Sequence, residues 1–380
     1  MMALVINEEQ TMLRDAARDF LNNRAPVSHH RQLRDSGEAP GFSRDLWAEM
    51  VEMGWASIII PEEFGGLDYG YTGLGLVLEE SGRTLTPSPL ISTALLGTSA
   101  LILSGNQQLC EQWLPQIASG EKLVSLAFEE SSQHRPSTVE TGAEPEGKAY
   151  CLNGSKIAVM DGGCADAFIV SVRTRRGEDP CEGISMFLVP ADSEGLSTKT
   201  TKLLDNHRAC DLQLKNVMVG RHQLLGSLHG GCDILRQTLD RGRIGMAAEM
   251  LGIAIETFER TMQYLKERKQ FGVPIGSFQA LQHRAAVLFG EIELCKSVVL
   301  KALQAIDENS DQLPLLASLA KAKCGQTAKL ATAEGIQMHG GIGMTDAFEI
   351  GFFIKRWRAL NQQLGDSRFH LDRFARLKGY

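Results

Sequence analysis

GCDILRQTLDRGRIGMAAEMLGIAIETFERTMQYLKERKQF, residues 231–271, decides how the rest of the chain is read. Its apolar residues recur every three or four positions, the period of a helix that buries one face. Two more stretches of the same texture follow, FQALQHRAAVLFGEIELCKSVVLKALQAIDEN (278–309) and LPLLASLAKAKCGQTAKLATAEGIQMHG (313–340). Long amphipathic helices joined by short links predict an up-down bundle over residues 226–380.

Upstream the texture changes. KLVSLAFEE (122–130), AYCLNGSKIAVMDGG (149–163), DAFIVSVRTRRG (166–177), ISMFLVPAD (184–192) and DLQLKNVMVG (211–220) are short apolar runs broken by Gly, Asn and Asp. They predict a β-domain of sandwich or barrel type over residues 121–225, with Asn153-Gly154 as a hairpin turn. Residues 1–120 read as helical again. INEEQTMLRDAARDFLNNR (6–24) places Met12, Leu13, Ala16, Ala17 and Phe20 on one stripe. SRDLWAEMVEMGW (43–55) opens on Ser43 as an N-cap, and PEEFGGLDYGYTG (61–73) is a Gly-rich loop. The fold class is therefore mainly α with a middle β-domain: N-terminal helices, a β-sandwich or barrel, and a C-terminal four-helix bundle.

The chain has 380 residues, a formal charge of −7, 43% hydrophobic and 22% charged residues. That length supports a large core without metal or disulfide staples. The acid excess argues against a nucleic-acid binder. The eight cysteines show neither Cys-x-x-Cys nor metal-ligand spacing and read as scattered reduced thiols of a cytoplasmic protein, with no metal site. MMALVINEEQ lacks the basic and apolar regions of a secretory signal. No apolar run reaches the ~18 residues of a membrane span.

Two motifs carry chemistry. Arg268-Lys269-Gln270-Phe271-Gly272, followed by Pro274-Ile275-Gly276-Ser277-Phe278-Gln279, sits just past the long helix. An Arg there offers a planar fork of donors to a pyrophosphate, or is simply a solvated helix stop. Gln337-Met338-His339-Gly340-Gly341-Ile342-Gly343 lays bare backbone where amides could approach an anion, or is an interhelical turn. It is neither a Walker loop nor a dinucleotide fingerprint.

With GWASIIIPEEFGGLDYGYTGLGLVLEESGRTL (54–85) and LNGSKIAVMDGGCADAFIVS (152–171), these motifs resemble the acyl-CoA dehydrogenases over nearly the whole chain. The resemblance implies FAD held between the β-domain and the bundle and completed by a neighbouring subunit. It implies that Arg268, Gln270, Phe271, Phe278 and Gln279 form one part of that site, and Gln337, Gly340, Gly341 and Gly343 another. It places Phe128, Glu130, Ser131 and Met160 against the flavin, although the family's usual Pro and Trp are missing there. It also implies an acyl-CoA substrate, an electron acceptor such as an electron-transfer flavoprotein, and a homodimer or homotetramer.

The implied reaction is α,β-desaturation of a thioester, in which a poised carboxylate removes the α-proton. The two positions where the family carries its Glu are Gly365 and Gly242 here. Three carboxylates remain. Glu249 lies seven residues after Gly242, within about 20° of the same helix face, and is read as the base or as half of an ion pair with a neighbouring helix. Asp366 is read as a displaced base or as the cap of the last helix, and Asp240 as structural. Arg243 either orients a carboxylate or joins a bundle ion pair. His370 lines the flavin or caps the helix.

The tail LGDSRFHLDRFARL resembles a bacterial branch of the family lacking the usual Glu, some members of which act on bulky thioesters or pair as unlike subunits. The leading reading is FAD-dependent α,β-dehydrogenation of an acyl-CoA with a bulky or atypical acyl group. The alternatives are a non-catalytic subunit that shares the FAD site of a heteromeric dehydrogenase, or a related flavoenzyme that no longer desaturates.

Overall fold

The structure is a computed structural model and describes residues 4–37 and 40–380. The chain opens with α1 (Glu8–Arg24), α2 (Val27–Ser36), α3 (Arg44–Glu52) and α4 (Tyr71–Thr84). A π-helical segment (Leu90–Gly97) leads into α5 (Thr98–Ser104) and α6 (Gln107–Ala118). The strands follow as β1 (Val124–Ala127), β2 (Gly142–Glu146), β3 (Ala149–Met160), β4 (Ala167–Arg173), β5 (Ile184–Pro190), β6 (Leu196–Lys202), β7 (Arg208–Gly220) and β8 (Leu224–Leu225). The long α7 (Gly231–Glu267) then leads through the two-residue strands β9 (Lys269–Gln270) and β10 (Val273–Pro274) into α8 (Gln279–Asp307), α9 (Leu313–His339), α10 (Ile350–Gln362) and α11 (Ser367–Leu377).

These elements form two compact units. One holds residues 37–70 and 87–242; the other holds 1–36, 71–86 and 243–380, so the boundary falls inside α7. The first unit is built on a mixed eight-stranded sheet, in the order β6-β7-β3-β2-β4-β5-β8, with β1 parallel to β4. Its core is apolar residues such as Leu152, Phe168, Val170 and Phe187, all fully buried.

Asn153-Gly154 is not a turn. It lies inside β3, where Asn153 pairs with Gly142 and the register against β7 slips between Leu152 and Gly154. The β2–β3 turn is made at Gly147 instead, in the left-handed region. Gly154 is required for close approach: a Cβ there would sit 2.6 Å from Thr141 Oγ1 and 2.7 Å from Thr141 Cα. Local turn propensity therefore gave way to strand pairing.

The expectation of eight reduced thiols also needs correction, because Cys181 and Cys232 form a disulfide. It ties the β4–β5 connection to the start of α7 across 51 residues of sequence, a separation over which spacing offered no signal.

In the helical unit α9 is central, packed on α8, α10 and α11. Asn7 and Gln10 close a capping box at the start of α1. The buried side of that helix is carried by Ala17 and Leu21, while Met12 of the expected stripe is 68% exposed. Ser43 caps α3 in the other unit, as its sequence position predicts. The helices α4 and α7 cross at two glycines. A Cβ on Gly82 would lie 2.1 Å from Glu249 O, and one on Gly252 would lie 1.8 Å from Glu79 O.

Glu79 sits at this crossing. Burial, and then the adjacent Glu80, push its carboxyl up to about 7. An unfolded Glu titrates near 4.3. The unfolded chain therefore releases this proton first, and stability falls as pH rises between those values. Glu79→Gln is expected to raise the melting temperature by about 3 °C at pH 8 and to leave it unchanged at pH 4. Thermal denaturation at the two pH values checks this.

Candidate functional site

Within the helical unit, the turn between α10 and α11 holds Gly365, one of the two glycines singled out in the sequence. Leu364 (φ 57°) and Gly365 (φ 97°) are both left-handed. A left-handed residue just past a helix end is a common helix stop, and here side chains from three helices hold the turn as well. Lys321 of α9 is fully buried. Its three N–H donors reach the carbonyls of Leu360 (2.8 Å), Gln363 (2.9 Å) and Gly365 (2.9 Å), and Asn361 O, at 3.3 Å, shares one of them. An ammonium at a helix C-terminus meets the carbonyls the helix leaves unpaired and the negative end of its dipole. Arg243 Nε of α7 donates to Leu364 O (3.2 Å), which also lies 3.0 Å from His370 Nε2 of α11.

Burial, and then the Arg243 guanidinium, pull the Lys321 ammonium down to about 7, with Asp366 opposing. Burial, Arg243 and Lys321 push His370 down to about 2. His370 is thus a neutral ring whose Nε2–H serves Leu364 O. It neither caps a helix end nor carries charge. On the other side of the turn, the amides of Leu364, Gly365 and Asp366 donate to no group among the described residues. Leu364 and Gly365 are buried. Buried N–H groups without a partner are rare in folded proteins.

The sequence-predicted acids are already engaged. Glu249 is buried and accepts two hydrogen bonds from Arg356 of α10, 2.6 Å to Nε and 2.9 Å to Nη2. This is the ion-pair reading of Glu249, and both its oxygens face a guanidinium. Asp366 is the N-cap of α11 and accepts from Phe369 N at 2.8 Å. Asp240 is buried in the part of α7 that belongs to the sheet-containing unit.

Lys321 and Arg356 were not singled out from the sequence, yet a signal existed. Lys321 falls on the stripe Ala317-Lys321-Cys324-Ala328, and Arg356 on Phe353-Arg356-Leu360, both at the spacing of a buried helix face. A lone cation on an apolar stripe needs a partner.

The two glycine-rich motifs, distant in sequence, meet in space. Tyr264 lies one turn before Arg268 and stacks on His339, with ring centroids 4.3 Å apart. Arg268 is exposed, and Phe271 is 92% exposed beside Phe278 and the start of α8 at Gln279. Gln270 uses its side chain on Lys269 O, and Gln337 is exposed. A Cβ on Gly340 or Gly341 would meet nothing within 4 Å, so this backbone borders open space. Gly343 has a packing reason instead: its Cβ would lie 2.7 Å from Ile336 O. His339 donates from Nδ1–H to Gly335 O (2.6 Å), while its buried Nε2 has no partner among the described residues. Bare amides, an exposed guanidinium and exposed aromatic faces fit a dinucleotide with a diphosphate.

In the sheet-containing unit, Glu130 does not present its carboxylate. Lys156 Nζ (2.6 Å) and the amides of Glu140 (2.7 Å) and Thr141 (3.1 Å) take it. Burial works to raise this carboxyl, but Lys156 and those donors hold it below the usual range. The carboxylate braces the loop before β2. Ser131 Oγ likewise turns to Gln133 O. Phe128 is buried edge-on to His134, and Met160 ends β3 half-buried.

Comparison with known proteins accounts for this arrangement. Acyl-CoA dehydrogenase family models match in order: the N-terminal domain over residues 7–121, the middle domain over 129–217 and the C-terminal domain over 229–377. The probable acyl-CoA dehydrogenase YngJ of Bacillus subtilis is 33% identical over 89% of both chains. Subunit CarC of the caffeyl-CoA reductase-Etf complex of Acetobacterium woodii is 28% identical over 91% of this chain and 92% of its own. A solved variant of the Tcur3481-Tcur3483 steroid ACAD superposes with a TM-score of 0.87 at 29% identity, covering 98% of each chain. Such relatives are flavin-dependent oxidoreductases that act on CH–CH groups. The chain belongs to the acyl-CoA dehydrogenase family.

Proposed function

We propose that the chain serves FAD-dependent α,β-dehydrogenation of an acyl-CoA with a bulky or atypical acyl group, as one of two unlike subunits. On this reading it holds the flavin and the thioester, and an unlike partner supplies the base. One observation carries the reading: among the described residues the amide of buried Gly365 has no hydrogen-bond partner, at the position where the resemblance implies a carboxylate, while Glu249 is bound by Arg356.

FAD, when bound, supplies the hydride acceptor. The Arg268 turn and the Gly340-Gly341 loop would hold its diphosphate side. The outward amides of the 363–366 turn would take the thioester oxygen and stabilise the negative charge that develops there as the α-proton leaves. Glycine at residue 365 removes side-chain volume, which suits a broad acyl group. The steroid and caffeyl substrates in the relatives' names are consistent with this. An electron-transfer flavoprotein is the proposed acceptor, by likeness to the CarC complex, and the cytoplasm the proposed compartment.

The test uses the FAD-loaded chain, alone and co-expressed with an unlike paralogue, against straight-chain, aryl and steroid acyl-CoAs. Loss of oxidised-flavin absorbance reports the reaction. The expected result is loss only with the partner present, unchanged by Glu249→Gln. Loss with the chain alone, abolished by Glu249→Gln, would instead make Glu249 the base and the chain self-sufficient.

A further inference from the structure

We propose that Lys321 is the positioning residue of the 363–366 turn, gripping the carbonyl side of its peptides so that their N–H groups face an acyl thioester oxygen, with Arg243 and His370 as its auxiliaries. The proposal deepens the reading of this turn as the thioester site and rests on it.

The geometry is peptide by peptide. In a trans peptide the C=O and N–H point in opposite directions. Lys321 holds the carbonyls of Gln363 and Gly365, so it aims the N–H groups of Leu364 and Asp366 away from itself. Arg243 and His370 hold the carbonyl of Leu364, so they aim the N–H of Gly365 away from themselves. Three successive peptides are thus each gripped at the carbonyl. A donor on a carbonyl also polarises its own peptide and strengthens the N–H opposite. The grip has a conformational purpose as well. Leu364 is a buried non-glycine residue in the left-handed region, which persists only where surroundings over-determine it.

A purely structural lysine would merely cap α10 through Leu360 and Asn361. Its bonds to Gln363 and Gly365 lie beyond that helix.

The experiment compares two inert probes on the FAD-loaded protein, with its partner if FAD requires one. Benzoyl-CoA has the thioester carbonyl but no α-hydrogen, and S-benzyl-CoA lacks the carbonyl. The wild type is expected to prefer benzoyl-CoA about tenfold, the effect of one or two well-placed donors. Lys321→Met, nearly isosteric, is expected to bring that ratio to about one, to leave S-benzyl-CoA affinity within about twofold, and to speed hydrogen exchange at residues 364–366. If Lys321→Met does not fold, His370→Leu removes one of the two donors on Leu364 O, and a ratio reduced about threefold is expected. A variant that keeps both the wild-type ratio and the wild-type exchange overturns the positioning role. A wild-type ratio of one overturns the thioester reading instead, and unchanged exchange in Lys321→Met then also overturns the grip on the turn.

Discussion

Arg356→Met is expected to destabilise the protein by about 3–5 kcal/mol. The reason is what it leaves behind rather than what it removes. Glu249 and Arg356 are both nearly inaccessible, and the guanidinium bonds both carboxylate oxygens at 2.6 and 2.9 Å. Bidentate charge-assisted bonds of this kind hold two helices in one register. Without Arg356, Glu249 must keep an uncompensated charge in the interior or take up a proton to stay there. The double variant Glu249→Met, Arg356→Met is expected to be less destabilised than Arg356→Met alone, because an apolar pair replaces a pair of charges that paid heavily for desolvation. Urea denaturation of the four proteins of this cycle gives the coupling directly. A cycle showing additivity would sink the pairing, and with it the argument that Glu249 is committed to structure.

Gly252→Ala is expected to be at least as damaging, with a loss above about 3 kcal/mol and little soluble protein. The added methyl group would lie 1.8 Å from Glu79 O and 2.8 Å from its carbonyl carbon, with Arg83 N at 3.1 Å. All three are backbone atoms of α4, so no side chain can swing away, and the two helices must separate. Gly82 makes the reciprocal contact from α4 onto Glu249 of α7. Separation there would also disturb the Glu249–Arg356 pair. Gly341→Ala is the control, since its Cβ meets nothing within 4 Å. That variant is expected to keep the wild-type melting temperature as apoprotein and to lose FAD affinity if the loop carries the diphosphate. Soluble yield, melting temperature and flavin content separate the two cases.

Much of this molecule is legible along the chain. The helical periodicity of residues 231–340 specifies long helices because burying one face is a local, repeating requirement. The short runs between residues 122 and 220 specify strands for the same reason. The glycines at 340 and 341 are visible as bare backbone beside a basic turn at 268. What could not be read was set by pairing across long stretches of chain. Asn153-Gly154 has every local mark of a turn, yet β7 on one side and Thr141 on the other hold it extended. Cys181 and Cys232 carry no motif, and only the packing of the β4–β5 connection brings them together. Glu130 looks like a group facing a ligand until Lys156 is found beneath it.

The sequence by itself therefore determined the helical, β, helical order, the glycine-rich turns, and the absence of a carboxylate at residues 242 and 365. Tertiary structure alone decided which charges answer one another: Glu249 with Arg356, and Lys321 with the carbonyls of Leu360, Asn361, Gln363 and Gly365. The difference has a physical cause. Periodicity and turn chemistry act between neighbours in the chain. A buried charge, by contrast, is stabilised or ruined by whichever group lies within about 3 Å of it, and the folded backbone chooses that group.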